Sequence, residues 1–584
     1  MLFTLGHGQH VVLDTAVEAG LEVATSTDAV PLDAVVEAGP RTAAEAAPAC
    51  GKFAYYFMNA ELLPSDPSIP TKLDTIADAM IEDGSGAEAQ NSLIPPIFTY
   101  LGQFIDHDIT ANTDRDSALS QIDGAINPVP QSQVENGLLN LRDGSLRLDS
   151  LYGDTIGQGD FSKKLAKLMR LPANPAKMRL AIPSPSPQNP PLPAGNDDAA
   201  DLLRLGFLIA RGDIKPAELS ALPADLKATF VNADGTPFVE RAIIGDARND
   251  ENLLVAQFHM SLLRFHNKLV DAVGDFEQAR KLMRWHYQWL VVNEYLPTVC
   301  DKYIVADVVE REAPLYRDFF AEHGTPGDAR MPMPLEFSIA AYRYGHSMIR
   351  AVYDYNRFFG EAVEGFDNLI LNAPFDLLFA FTGNGKMRGQ AAKLPHNWVI
   401  EWERFVAIDP TRPHRSARTI DTHLAPPLKD MANEARQGAS METNTLFKHL
   451  ARRNLRRGYR LSVPTAQACL AALAAGPYPN VELLEDEQLT SGAAGAALAV
   501  AGLAGATPLW FYILKEAEEL AGGEHLGPLG SILVADTLVG LVVKDPQSYW
   551  HGSENGGLWS PHEANLPGGP IETIADLLRF AGML

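Results

Sequence analysis

The chain has 584 residues, ample apolar content for a large core, and 48 basic against 73 acidic side chains, a formal charge of −25. Such an acidic balance argues against a nucleic-acid backbone as partner, because that contact depends on basic patches. Three scattered cysteines, Cys50, Cys300 and Cys469, supply neither a disulfide framework nor a cysteine-based zinc motif.

Residues 1–50, rich in Ala, Val, Thr and acids, read as an extension or arm. Met1 to Pro40 holds no Lys or Arg, so the basic start of a secretory signal is not seen, and the expected location is cytoplasmic or reached by a leaderless route. The stretch 93–110, LIPPIFTYLGQFIDHDIT, predicts a helix opened by Pro95 and Pro96. Ile97, Tyr100, Leu101, Phe104 and Ile105 make its apolar stripe. Gln103, Asp106 and His107 share another face at i, i+3 and i+4, with Asp108 one step round. Asn112, Asp114, Asp116 and Asp123 only roughly match an EF-hand, since Ser117 stands where that loop needs glycine.

Residues 172–198 are proline-rich and predict an extended surface loop, which could be a domain boundary or a long surface excursion from one domain. From Gly245 to Val273 the pattern is helical, with Leu254, Phe258, Leu262, Phe265 and Leu269 on one face and Arg248 and Glu251 near its start. Residues 278–310 are also helical in pattern. In 334–352, helical spacing puts Ile339, Tyr342, His346 and Ile349 on one face. A further helix is expected at 443–457, closed by Gly458. The uncharged Leu489–Leu514 stretch is Ala/Gly-rich and interrupted by Pro508, so it predicts a buried helix and turn, not a membrane span. The total is mainly α with little strand. Walker A, GxSxG, HExxH and CxxC motifs are absent, which removes the commonest nucleotide, hydrolase, zinc-protease and dithiol chemistries.

Four segments, in order, resemble the animal-type haem peroxidase superfamily, which includes myeloperoxidase and lactoperoxidase. They are LGQFIDHDIT (101–110), GDARNDENLLVAQFHMSLLRFHNKL (245–269), AYRYGHSMI (341–349) and RRNLRRGYRL (452–461). The stretch from Pro508 also looks like bacterial members. The resemblance covers 51–584 and implies a large, single-domain helical fold, with 172–240 a proline-rich loop and surface insertion within it, and a haem-dependent enzyme. That enzyme would use hydrogen peroxide, through a ferryl intermediate, to oxidise halides, thiocyanate or small aromatic donors. It implies His107 as the base above the iron, Arg248 as its partner and Gln103 as a lining residue. His346 would be the iron ligand, with Asn454 orienting it. Asp106 and Glu251 would be ester anchors for haem methyls, and Asp108, with Asp143 and Asp149, calcium ligands. Arg147 stands where the family usually places a calcium ligand. Asn252 replaces the methionine that bonds haem in myeloperoxidase, which makes bromide, iodide or thiocyanate better donors than chloride.

Two alternatives stay open. Fatty-acid dioxygenases of the same superfamily carry a radical tyrosine three residues before the iron ligand; here that position is Arg343, flanked by Tyr342 and Tyr344. A non-catalytic, cation-binding adhesion or scaffold module would have lost His107, Arg248 or His346, and all three are present.

Overall fold

The computed structural model describes residues 2–4, 11–13, 51–83, 91–111, 119, 121–153, 159–188, 199–325, 330–362, 365, 368–383, 393–408, 415–431, 434, 439–553 and 557–584. Most of 1–50, the EF-hand-like positions 112–117 and part of the proline-rich loop lie outside them. The protein is 52% helical and 8% strand, a mainly α fold. Among the described residues, no helix is long and apolar enough to cross a membrane.

Seven helices frame the centre: α1 (Ile69–Ala79), α2 (Ile97–Ile109), α3 (Leu253–Val273), α4 (Phe276–Leu290), α5 (Leu450–Arg460), α6 (Leu509–Ala521) and α7 (Pro528–Lys544). The strands are short. In one three-stranded sheet, Gly51–Ala54 runs antiparallel to Leu139–Asn140 and parallel to Met333–Pro334, pairing Gly51 with Asn140 and Phe53 with Met333.

Helix α3 lies deep in the core, with Leu253 through His266 all buried. Its start is fixed by Asn252, whose Oδ1 accepts from Val255 N at 3.0 Å, and its end by Gly274 at φ 74°, a left-handed position that suits glycine. It packs on α2 and α4. Phe104 of α2 meets Phe258 of α3 edge to face at 5.7 Å, and each such buried side chain stabilises the fold by about 1.5–3 kcal/mol.

Three local expectations are corrected. The helical pattern from 245 begins with a separate 3-10 turn, Ala247–Asp250, before α3. The 334–352 stretch is a π-turn, Glu336–Ala340, followed by a 3-10 turn, Ala341–His346, so the α-helical face assigned to it does not form. The buried Glu336 carboxylate accepts from Tyr56 N and Phe57 N at 2.9 and 3.1 Å, which ties the π-turn to the end of the first sheet strand. Gly458 does not close a helix: the run divides at His449 and Gly458 lies inside α5. The Leu489–Leu514 stretch forms helix Gly492–Ala501, a turn and the start of α6.

Candidate active site

Along α2 most positions are fully buried, yet Gly102, Gln103 and Asp106 are only partly so. They share one side of the helix, which therefore borders space that the core does not fill. Close by, His107 is completely buried. Gly102 is where α2 meets the His346 segment. A Cβ there would lie 2.6 Å from Tyr295 Oη, which is itself 2.7 Å from Tyr344 Oη.

The Ala247–Asp250 turn holds His107 from behind. Arg248 Nη2 donates to the backbone oxygens of His107 and Thr110 at 3.0 and 2.8 Å, capping the end of α2. Its Nε and Nη2 also bond Asp246, a carboxylate shared with Arg142. Burial works against that charge, but Arg248 and Arg142 hold the Asp246 carboxyl well below the usual range. The Arg248 guanidinium is buried against Asp246 and the end of α2. Burial, reinforced by Arg248, pushes the His107 imidazole down to about 3, so it is neutral at pH 7. The ring's Nδ1 lies 2.8 Å from Asn249 Oδ1.

Gln103 is held at both ends: Oε1 accepts from Asn252 Nδ2 at 3.0 Å, and Nε2 donates to Glu251. Burial, then Glu434, pushes the Glu251 carboxyl up to about 8, so it keeps a proton at neutral pH. Asp106 accepts from Thr110 Oγ1 at 2.7 Å.

His346 is half-buried at the end of its 3-10 turn. Its Nδ1 lies 2.8 Å from the Asn454 amide on α5, nitrogen end foremost. Asn454 Oδ1 faces Arg343 Nη1 at 3.5 Å. A Cβ on Gly345, next to His346, or on Gly458, one turn from Asn454, would meet no atom within 4 Å.

The expected calcium ligands Asp108, Asp143 and Asp149 are hydrogen-bonded or ion-paired within the protein. Among the described residues, no group of three acidic, histidine or cysteine side chains converges on a metal position. Both oxygens of Asp108 accept backbone N–H bonds, from Leu148 and Ser150, at 3.0 Å. Asp149 pairs with the buried Arg142 guanidinium, and Asp143 Oδ1 caps Ser145 at 2.9 Å. Arg147, where an oxygen ligand is wanted, is paired instead with Asp545 at 2.6 Å. A guanidinium therefore supplies positive charge within this carboxylate group. Burial and Asp149 still push Asp108 up to about 7 and Asp143 up to about 6.

Comparison with known proteins bears on this geometry. Residues 206–372 match the family model for animal haem peroxidase, a stretch that includes the Ala247–Asp250 turn and His346. The chain is 28% identical over 184 residues to a peroxidase-like protein of Margaritifera margaritifera, covering 30% of this chain and 21% of that one. It is 26% identical over 156 residues to human lactoperoxidase, covering 24% and 20%. These alignments span only about a fifth of each relative's length. In fold, Peroxidase A from Dictyostelium discoideum aligns over 91% of this chain and 93% of its own, with TM-score 0.55 and 15% identity. Residues 206–372 are thus similar to an animal haem peroxidase domain, and the fold is similar to that of Peroxidase A.

That family implies haem, and the donor set here fits it. A neutral buried imidazole stands beside the partly open side of α2. A half-buried imidazole, backed by an amide, stands at the end of the His346 turn next to unfilled space. Ligation through His346 Nε2 needs Nδ1–H to donate, so the oxygen end of the Asn454 amide must face the ring. A half-turn of this near-symmetric group provides that. Of the residues singled out in the sequence, the structure brings Gln103 to Glu251, Arg248 to the carbonyl oxygen of His107, and His346 to Asn454. Sequence reasoning missed Asp246, Asn249 and His259. Asp246 and Asn249 lie in the polar run GDARNDEN immediately before an apolar helix, and His259 lies within that helix.

Proposed function

We propose that the chain is a haem-dependent peroxidase that reduces hydrogen peroxide and oxidises bromide, iodide, thiocyanate or a small aromatic donor. The observation that carries this reading is the placement of a neutral, buried His107 beside Gln103 and Asp106 on the partly open side of α2. Haem would be held by His346 through iron, with Asp106 and Glu251 as ester anchors. It would supply the redox centre at which peroxide is cleaved.

The protein's own residues supply the proton handling. His107, kept neutral by burial, takes a proton from hydrogen peroxide and returns it to the departing oxygen, which leaves as water. Arg248 acts as a fixed buried charge, since its Nε and Nη2 are committed to Asp246 and the end of α2. It keeps His107 neutral and favours negative charge developing nearby. Gln103 lines the approach, clamped between Asn252 and Glu251. Because Asn252 caps α3 and holds Gln103, it offers no sulfur for a third haem link, in keeping with preference for donors easier to oxidise than chloride. Arg343, rather than a tyrosine, three residues before His346 favours peroxidase over dioxygenase chemistry.

The test is an absorption spectrum of the protein purified with haem supplied, then acid–acetone extraction, then bromide and guaiacol assays with peroxide. A Soret band that stays with the polypeptide and peroxide-dependent oxidation are expected. A band that extracts fully removes the ester links. No Soret band would sink the peroxidase reading.

A further inference from the structure

A base must present a lone pair, and the two nitrogens of an imidazole can exchange that role. We propose that Asn249 is the positioning residue that fixes His107 in the tautomer a base at this site requires, with His259 fixing Asn249 in turn. The proposal rests on the peroxidase reading of the site.

The three side chains are wholly buried, so water does not compete for their hydrogen bonds. His107 Nδ1 lies 2.8 Å from Asn249 Oδ1, an atom that can only accept. Nδ1 therefore carries the proton and donates it, which places the lone pair on Nε2. Asn249 Nδ2, which can only donate, lies 3.1 Å from His259 Nδ1. His259 must then accept through Nδ1, and burial keeps it neutral, pushing its imidazole down to about 3. Each end of the amide thus dictates the tautomer of the ring it faces. Phe104 of α2 fixes the His259 ring edge to face at 6.0 Å.

Asn249 is itself rigidly carried. Its backbone N–H donates to Asp246 O at 3.0 Å, and Asp250, next in the turn, accepts from Gly383 N at 2.8 Å. One four-residue turn therefore grips His107 twice: Arg248 at its carbonyl oxygen, 3.0 Å away, and Asn249 at its ring. When an O–H of peroxide breaks, the new N–H bond forms at His107 Nε2. The Nδ1–H to Asn249 bond persists and strengthens as the ring becomes charged. The proton then leaves Nε2 for the departing oxygen, and the ring returns to its starting tautomer.

The experiment compares wild type, Asn249→Val, Asn249→Asp and His259→Leu as haem-loaded full-length proteins. Cyanide association, read from the Soret shift without turnover, needs the same proton acceptor as the peroxide reaction, and both are measured. Asn249→Val, which cannot accept from Nδ1, is expected to slow both about 10- to 100-fold with the resting Soret band unchanged. Asn249→Asp restores the acceptor for His107 Nδ1–H, with His259 switching to the Nδ1–H tautomer to donate to the carboxylate, and is expected within about threefold of wild type. His259→Leu, which frees the amide to turn over, is expected between the two. If Asn249→Val matches wild type within twofold, or if Val and Asp behave alike, the proposal is overturned. Should Asn249→Val fail to load haem, His259→Leu decides, and an unchanged cyanide rate overturns it. Wild type that takes up no haem would refute the peroxidase reading itself, whereas active wild type with indifferent variants refutes only the role of Asn249.

Discussion

Asp246→Asn tests whether the site is held by one buried carboxylate. The substitution keeps the shape of the side chain and removes its charge. In the native protein Asp246 is fully buried and bridges Arg142, also fully buried, and Arg248. Without it, two guanidinium groups stay in the interior with their common counter-charge gone. Removing one partner of a buried pair costs about 3–5 kcal/mol, against about 0–1 kcal/mol for an exposed pair. At about 2.1 cal/mol/K per residue, 584 residues give an unfolding entropy near 1.2 kcal/mol/K, so the expected fall in Tm is about 2–4 °C at pH 7. The pH dependence has a definite sign. A carboxyl held below its unfolded value contributes stability above about pH 4, and loses it as pH falls toward the folded value. The deficit of Asp246→Asn should therefore be full at neutral pH and shrink below pH 4. Differential scanning calorimetry from pH 3 to 8 measures it. A variant with wild-type Tm at pH 7, or a deficit that grows in acid, would refute the idea that Asp246 is the charged bridge.

Other outcomes follow from the same geometry. Asp108 and Asp143, pushed up to about 7 and 6, and Glu251, pushed up to about 8, bind protons more tightly folded than unfolded. Their effect is a loss of stability that sets in above about pH 4 and is complete above about pH 8, so Asp108→Asn should flatten the fall in Tm over that range. Calcium at pH 8 is expected to leave Tm unchanged, and a rise of several degrees would show that these carboxylates do gather a cation. Gly102→Ala puts a Cβ 2.6 Å from Tyr295 Oη and should destabilise by about 1–3 kcal/mol, with part recovered in the Tyr295→Phe background by a double-mutant cycle. Asn252→Met removes both the cap on Val255 N and the grip on Gln103, and should lower stability by about 1 kcal/mol in denaturant titration.

What could be read from the chain and what could not divide along physical lines. The α2 helix is legible because its stripe of Ile97, Leu101, Phe104 and Ile105 repeats at the helical period and all four side chains are buried. The 334–352 segment reads as the same kind of helix by the same rule, and is not one. Hydrophobic spacing reports only that Ile339 and Tyr342 face the core; it does not report the number of residues per turn. Here Glu336 is pinned by Tyr56 N and Phe57 N, nearly 280 residues away in sequence, and the backbone winds to suit that anchor.

The same limit explains the acidic cluster. The resemblance implies Asp108, with Asp143 and Asp149, as calcium ligands, and carboxylates do suit a hard cation. The deciding group is Arg142, one residue before Asp143, whose guanidinium binds Asp149 and reaches Asp246, over a hundred residues on. A buried cation of either kind meets the same electrostatic need, and local spacing cannot distinguish a metal from an arginine. Asp246 then carries that charge to Arg248, and Arg248 to the carbonyl oxygen of His107. His107, Arg248 and His346 stand out in the sequence because each lies in a local motif that resembles the family's. Those that hold them still are recognised only once the fold has brought the ends of the chain together.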